Sequence, residues 1–178
     1  MAFLRRELHS PESEFAHLFE RMHQLCNENE WGDPFATGRA REIYMANTLG
    51  HGVGPTLSGA DAYEDEERTI PVEYKATTNA SIKATYTGIS VKNTWTEQLD
   101  YLRQEKICKY PRHYFARFDG STIAEIYCMD CDKVLEGLLP ALQRQFNSDR
   151  SRRADPRLQF TLCQTYIRAN SRRIDLPT

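Results

Sequence analysis

No uninterrupted apolar run in this 178-residue chain reaches the roughly 18 residues that a membrane-spanning helix needs. The first ten residues, MAFLRRELHS, are basic but have no apolar core behind them, so they do not read as a secretory signal, and a cytoplasmic setting is expected. Cysteine is sparse and irregular: five residues, an odd number without regular spacing, argue against a disulfide framework and agree with a reducing compartment. Cys128-Met129-Asp130-Cys131 is the one CxxC, and the second ligand pair that a structural zinc site requires is missing. The two thiols are expected to pack at a strand-to-helix junction; a small zinc-stabilised interaction module built on them is the alternative. The glycine-rich run Gly50-His51-Gly52-Val53-Gly54-Pro55 lacks the Lys-Ser/Thr ending of a phosphate-binding loop, so no nucleotide cofactor is expected there and the run reads as a mobile loop. There is no internal repeat, no low-complexity tract and no linker that would divide the chain.

What remains is the composition of one ordinary globular domain: 40% hydrophobic and 27% charged residues. The net charge of −2 averages over segregated charges. From Asp61 to Glu73 there are six acids against Arg68 alone, and from Asp149 to the end seven arginines against three aspartates. For a polyanionic partner that distribution matters more than the sum.

The stretch Ser58 to Ala76, SGADAYEDEERTIPVEYKA, carries the chemistry. In Ile70 to Ala76 the apolar Ile70, Val72 and Tyr74 alternate with Pro71, Glu73 and Lys75, the period of a strand with one buried face. Glu73 and Lys75 then share the other face, roughly 6.5 Å apart. Asp61, in a Gly-Ala-Asp turn or strand end, can bring a second carboxylate from a neighbouring strand. Oxygen ligands of this kind suit Mg²⁺, which takes one or two carboxylates together with waters and substrate phosphate. The intervening acids Glu64 to Glu67 read as a solvated hairpin tip.

Asp61, Glu73 and Lys75 match the PD-(D/E)xK signature, and the order of elements around them resembles the compact type II restriction endonucleases of that superfamily. The resemblance implies an α/β fold with a central mixed β-sheet of about four to five strands flanked by helices. It implies site-specific hydrolysis of double-stranded DNA to 5′-phosphate and 3′-hydroxyl ends, with Mg²⁺ or Mn²⁺ as cofactor, by a homodimer of prokaryotic or phage origin. Asp61 and Glu73 would be the metal ligands and Lys75 the residue that orients water or stabilises charge on the phosphate. Glu42, on a preceding helix, would be either a further metal ligand or a helix-surface acid paired with Arg39. A repair or junction-resolving nuclease on the same fold, and a non-catalytic DNA-binding protein of that fold, are the competing readings.

The remaining elements can be placed around this stretch. A helix starts at Ser10-Pro11-Glu12, and its stripe Phe15, Leu18, Phe19, Met22, Leu25 and Cys26 is expected to be core. A second helix runs from Phe35 to Leu49 and closes at Gly50. Thr77 to Thr94, rich in hydroxyls and amides, is the expected DNA-facing segment, with Asn79, Ser81, Lys83, Tyr86 and Lys92 as contacts. A helix follows from Thr94, then strands His113 to Phe118 and Thr122 to Cys128 joined at Asp119-Gly120. The next helix carries Pro140, a kink position. A short strand near Leu158 to Leu162 and a helix around Tyr166 end the chain, with Arg150, Arg152 and Arg153 before them as further DNA contacts. As one nuclease domain, the chain divides into a helical part (1–50), a catalytic core (51–130) and a C-terminal helix, strand and Arg-rich tail (131–178).

Overall fold

The structure is a computed structural model that describes residues 10–148 and 157–176. Arg150, Arg152 and Arg153 lie outside the described residues. Helix α1 (Pro11–Glu28) starts as its sequence dictates: the Ser10 side chain accepts from the Ser13 N–H at 3.2 Å, Pro11 opens the first turn, and Glu12 and Glu14 sit at the positive end of the helix dipole. Its apolar stripe is not core. Phe15 is 68% exposed and Leu18, Phe19, Met22 and Leu25 are exposed too; Cys26 alone of the stripe is buried. Periodicity identified an apolar face correctly but not a neighbour to cover it. Phe19 instead stacks on Phe35, ring centroids 4.6 Å apart, at the surface.

Helix α2 (Arg39–Leu49) begins four residues later than its sequence suggested, because Gly38 takes a left-handed conformation (φ 91°) and turns the chain into the helix. Gly50, again left-handed, closes it as expected. The glycine run after it is not a free loop. Gly52–Val53 forms strand β1 and pairs with β2 (Ala62–Tyr63), which pairs in turn with β3 (Pro71–Thr77), both antiparallel.

Strand β4 (Ala84–Ser90) then leaves this sheet. A short helix α3 (Trp95–Tyr101), with Thr94 and Glu97 forming a capping box, continues through a π-helical turn at Leu102–Lys106. The chain returns as β5 (Arg112–Asp119), parallel to β3, and folds back through the Gly120 turn as β6 (Thr122–Asp130). Helix α4 (Cys131–Phe146) runs through Pro140 without ending. Strand β7 (Arg157–Leu162), helix α5 (Gln164–Asn170) and strand β8 (Arg172–Arg173) complete the described chain.

The result is α/β, with a mixed six-stranded sheet in the order β1-β2-β3-β5-β6-β8 and a separate β4-β7 ribbon. That is more strands than the four to five expected, because β1, β2 and β8 are two residues each, too short to show any period. Alternation sorts the sheet's side chains into two cores. Val72, Tyr74, Tyr114, Ala116 and Cys128 pack on one face with Met45 and Ala46 of α2. Phe115, Tyr127 and Met129 pack on the other with the ribbon and α4. No helix among the described residues is long and apolar enough to cross a membrane.

One buried ion network ties the C-terminal elements to the sheet. Glu125 of β6 is 7% exposed and accepts from Arg117 at 2.8 Å, Arg168 of α5 at 2.9 Å and the Tyr127 hydroxyl at 3.0 Å. Burial works against its ionisation, but these donors outweigh it and hold the carboxyl below its ordinary value. Its support for the fold is therefore present at neutral pH and lost as the pH falls through its own titration. Glu125→Ala strands three donors and should lower stability by about 2 kcal/mol, read from the urea midpoint near neutral pH.

Candidate active site at the β2–β3 strand pair

Asp61 immediately precedes β2, whose antiparallel register pairs Ala62 with Val72 and Tyr63 with Pro71, and it lies close enough to Glu73 for the two charges to interact. Two backbone contacts fix Asp61 there. Its N–H donates to the Val72 carbonyl at 3.3 Å, and its Oδ2 accepts from the Tyr74 N–H at 2.7 Å. Gly54 donates to the Asp61 carbonyl at 3.0 Å, and only glycine fits, because a Cβ there would meet the Ala60 carbonyl oxygen at 2.2 Å. Thus a glycine of the run before the motif sets the acid's position.

On β3, Val72 and Tyr74 are buried while Glu73 and Lys75 are only partly so, as their alternation predicted, although the strand begins at Pro71 rather than Ile70. Lys75 Nζ donates to Glu73 Oε1 and lies 5.3 Å from the Tyr86 ring centroid. Glu73 and Lys75 open into a cavity of about 240 Å³ with Thr85, Tyr86 and Thr87 of β4 on one wall and Glu105, Lys106 and Tyr110 on the other. Asp61 borders a separate hollow, together with Arg39, Glu42 and Gly59. Larger hollows lie outside α2, one of them beside Tyr44 and Phe118, but they gather no carboxylates.

Of its two expected descriptions, Glu42 meets the pairing with Arg39, at 3.2 Å, and it lies near enough to Asp61 for its charge to be felt there. Partial burial, then the charge of Glu73, then that of Glu42 push the Asp61 carboxyl from 3.8 up to about 7, against the opposing pull of the Tyr74 N–H and Lys75. The three acids are neighbours, not a closed cluster. Among the described residues the one group of three ligand atoms all within 4.8 Å of one another is Cys108, Cys131 and Asp132.

No protein-family model matches the chain, and no curated protein matches it at a significant level. What the site can do follows from its own chemistry. Burial and then like charges raise the Asp61 carboxyl, and a second carboxylate, Glu73, stands nearby on β3 with the Lys75 ammonium against it.

The surroundings differ from expectation in several places. Glu64 is not solvated: its carboxylate contacts Arg112 and accepts from the Tyr114 hydroxyl at 2.6 Å. Asp65 caps the turn by accepting from Thr69 and Ile70, so only Glu66 and Glu67 fit the picture of exposed tip acids. Within Thr77 to Thr94, the segment expected to face DNA, β4 pairs with β7. Tyr86 is 4% exposed, with its hydroxyl 2.9 Å from His113 Nδ1, so it is a wall of the cavity and not a surface contact. Asn79, Ser81 and Lys83 are exposed, and Lys92 lies 4.3 Å from the Tyr101 ring centroid.

The sequence reading missed the segment after the π-helical turn. Tyr110 donates to the Gly59 carbonyl beside Asp61, and burial with the charges of Glu73 and Asp61 pushes its hydroxyl up to about 12, so it stays protonated. Lys106 lines the cavity itself. The basic and aromatic run Lys106-Ile107-Cys108-Lys109-Tyr110 was the available signal. His113 braces the same segment: its Nε2 donates to the Ile107 carbonyl at 3.1 Å while Nδ1 accepts from Tyr86, and burial holds it neutral at about 4.

Proposed function

We propose that this chain is a Mg²⁺-dependent endonuclease that hydrolyses double-stranded DNA at specific sites, a homodimeric type II restriction enzyme with a restriction-endonuclease-like core. The observation that carries the reading is the approach of Asp61, just before β2, to Glu73 on β3, with Lys75 donating to Glu73 from the same strand face. Asp61 and Glu73 would hold the cation, with Glu42 in electrostatic reach. The fit lies in the Asp61 carboxyl, which burial and then the charges of Glu73 and Glu42 push up to about 7 and which a divalent cation would relieve. When bound, Mg²⁺ supplies a Lewis acid for the phosphoryl oxygen and eases deprotonation of the attacking water.

The protein's own groups do the rest. Lys75 is held by Glu73 and by the Tyr86 ring, so its ammonium is already in place when negative charge builds on the phosphate. Lys106 adds positive charge to the opposite wall of the cavity. Tyr110, tied to Gly59, closes the space between the two acids and keeps the backbone ahead of Asp61 in register. Hydrolysis with the 3′ oxygen leaving gives 5′-phosphate and 3′-hydroxyl ends.

Incubation with plasmid or phage DNA, with Mg²⁺ and separately with a chelator, tests the reading. Discrete fragments that require the cation are expected. Cuts confined to branched or damaged DNA would point to a repair or junction-resolving nuclease, and duplex binding without cutting would leave a non-catalytic DNA-binding protein.

A further inference from the structure

The CxxC does not act as a pair. Cys128 is buried on the α2 side of the sheet, whereas Cys131, the first residue of α4, sits beside Cys108 from the segment after the π-helical turn. The Cys131 N–H fastens the start of α4 to that segment by donating to the Pro111 carbonyl at 2.9 Å, and the Cys108 N–H donates within its own segment to the Leu102 carbonyl at 3.3 Å. Asp132 completes the group, with its Oδ1 4.0 Å from Cys108 Sγ and all three ligand atoms within 4.8 Å of one another. We propose that Cys108, Cys131 and Asp132 bind one thiophilic divalent cation of the Zn²⁺ class, leaving a fourth position open to water.

Tetrahedral zinc with bonds of about 2.3 Å to sulfur and about 2.1 Å to oxygen needs ligand separations of roughly 3.5–3.8 Å, which small side-chain rotations supply from this starting geometry. Both cysteines are free thiols, Asp132 is exposed, and the group is open to solvent. Cys131 is the first residue of the 16-residue helix α4, so its sulfur is placed by a rigid element. Without a cation the Cys108 thiol is pushed up to about 12 by burial and by the facing Cys131 and Asp132, with Arg103 opposing. A bound cation reverses that penalty.

The consequence reaches the candidate active site. Lys106 and Tyr110, two residues to either side of Cys108, line the cavity of Glu73 and Lys75. A cation at Cys108 would tie that wall to the start of α4. This soft-ligand seat is separate from the oxygen-ligand seat at Asp61 and stands whether or not the chain cuts DNA.

The test is titration of the reduced full-length chain with Zn²⁺ against a chromophoric chelator, with Co²⁺ as spectroscopic probe. One equivalent should bind. Cys108→Ser and Cys131→Ser should each weaken it at least ~100-fold and Asp132→Asn about 10-fold, while Cys163→Ser changes nothing. Co²⁺ should show thiolate-to-metal charge-transfer absorption, and Zn²⁺ should slow amide exchange across residues 103–112. Unchanged affinity in the serine variants, loss of Zn²⁺ binding in Glu73→Gln, or a Co²⁺ spectrum without the thiolate band would each overturn the proposal. The spectrum of the unsubstituted chain decides the matter even if the variants fail to fold.

Discussion

Glu73→Gln should slow Mg²⁺-dependent cleavage of duplex DNA by about 10³-fold or more. The substitution keeps the volume of the side chain, and the amide oxygen can still accept from Lys75, so β3 and its cavity have no reason to rearrange. What disappears is the negative charge of Glu73, which acts on the neighbouring Asp61 carboxyl. Binding of DNA in the absence of divalent cation should hold or tighten, because a carboxylate no longer opposes the phosphate. Lys75→Ala should fail in the same cleavage assay, with its Glu73 partner left uncompensated. Single-turnover cleavage and fluorescence anisotropy on the same duplex separate the two effects. A Glu73→Gln rate within tenfold of the unsubstituted chain would sink the assignment of this strand.

Glu73 and Lys75 were legible because their relation is local. Two residues along a strand share a face whatever the rest of the fold does, and Asp61 needed only a hairpin to come close. The other wall of the cavity was not legible, since Lys106 and Tyr110 arrive by the long connection between β4 and β5. The sequence names such residues but not where the crossover lands. Tyr86 shows a different failure. Ile82, Ala84 and Tyr86 are buried and alternate with the exposed Lys83, Thr85 and Thr87, a strand period that the abundance of hydroxyls obscured. Gly88, with φ 64°, then breaks the pattern between Tyr86 and Ile89, where the register with β7 slips.

The stripe on α1 was misjudged for a reason of principle. An amphipathic pattern states which side of a helix avoids water, and burial also requires a surface placed against it. The two thiols of the CxxC do fall at a strand-to-helix junction, as expected, but adjacent strand and helix positions send them to different sides of the sheet. The partner of Cys131 comes from 23 residues upstream. Contacts were thus readable along one strand or across a short hairpin, and unreadable where a long connection brings the elements together.

Asp61 gives the second large effect, in the pH dependence of cation binding. Its carboxyl titrates at about 7, so the cation must displace a proton below that pH. Apparent Mg²⁺ or Mn²⁺ affinity should fall about tenfold for each pH unit below ~7 and level off above it. Calorimetry at about pH 6 in buffers of different ionisation heat should register close to one proton released for each cation bound. The same shift fixes the sign for stability. A carboxyl raised from 3.8 to about 7 favours the fold at acidic pH, and that contribution is lost as the pH rises through 7. Metal-free Asp61→Asn carries no charge at any pH, and its side-chain oxygen can still accept from the Tyr74 N–H, so above neutrality it should be more stable than the unsubstituted chain by about 2 kcal/mol. It should also bind no catalytic cation. A cation affinity flat between about pH 5.5 and 8, together with an Asn variant destabilised at high pH, would show that Asp61 is an ordinary turn residue and that the two carboxylates do not share a site.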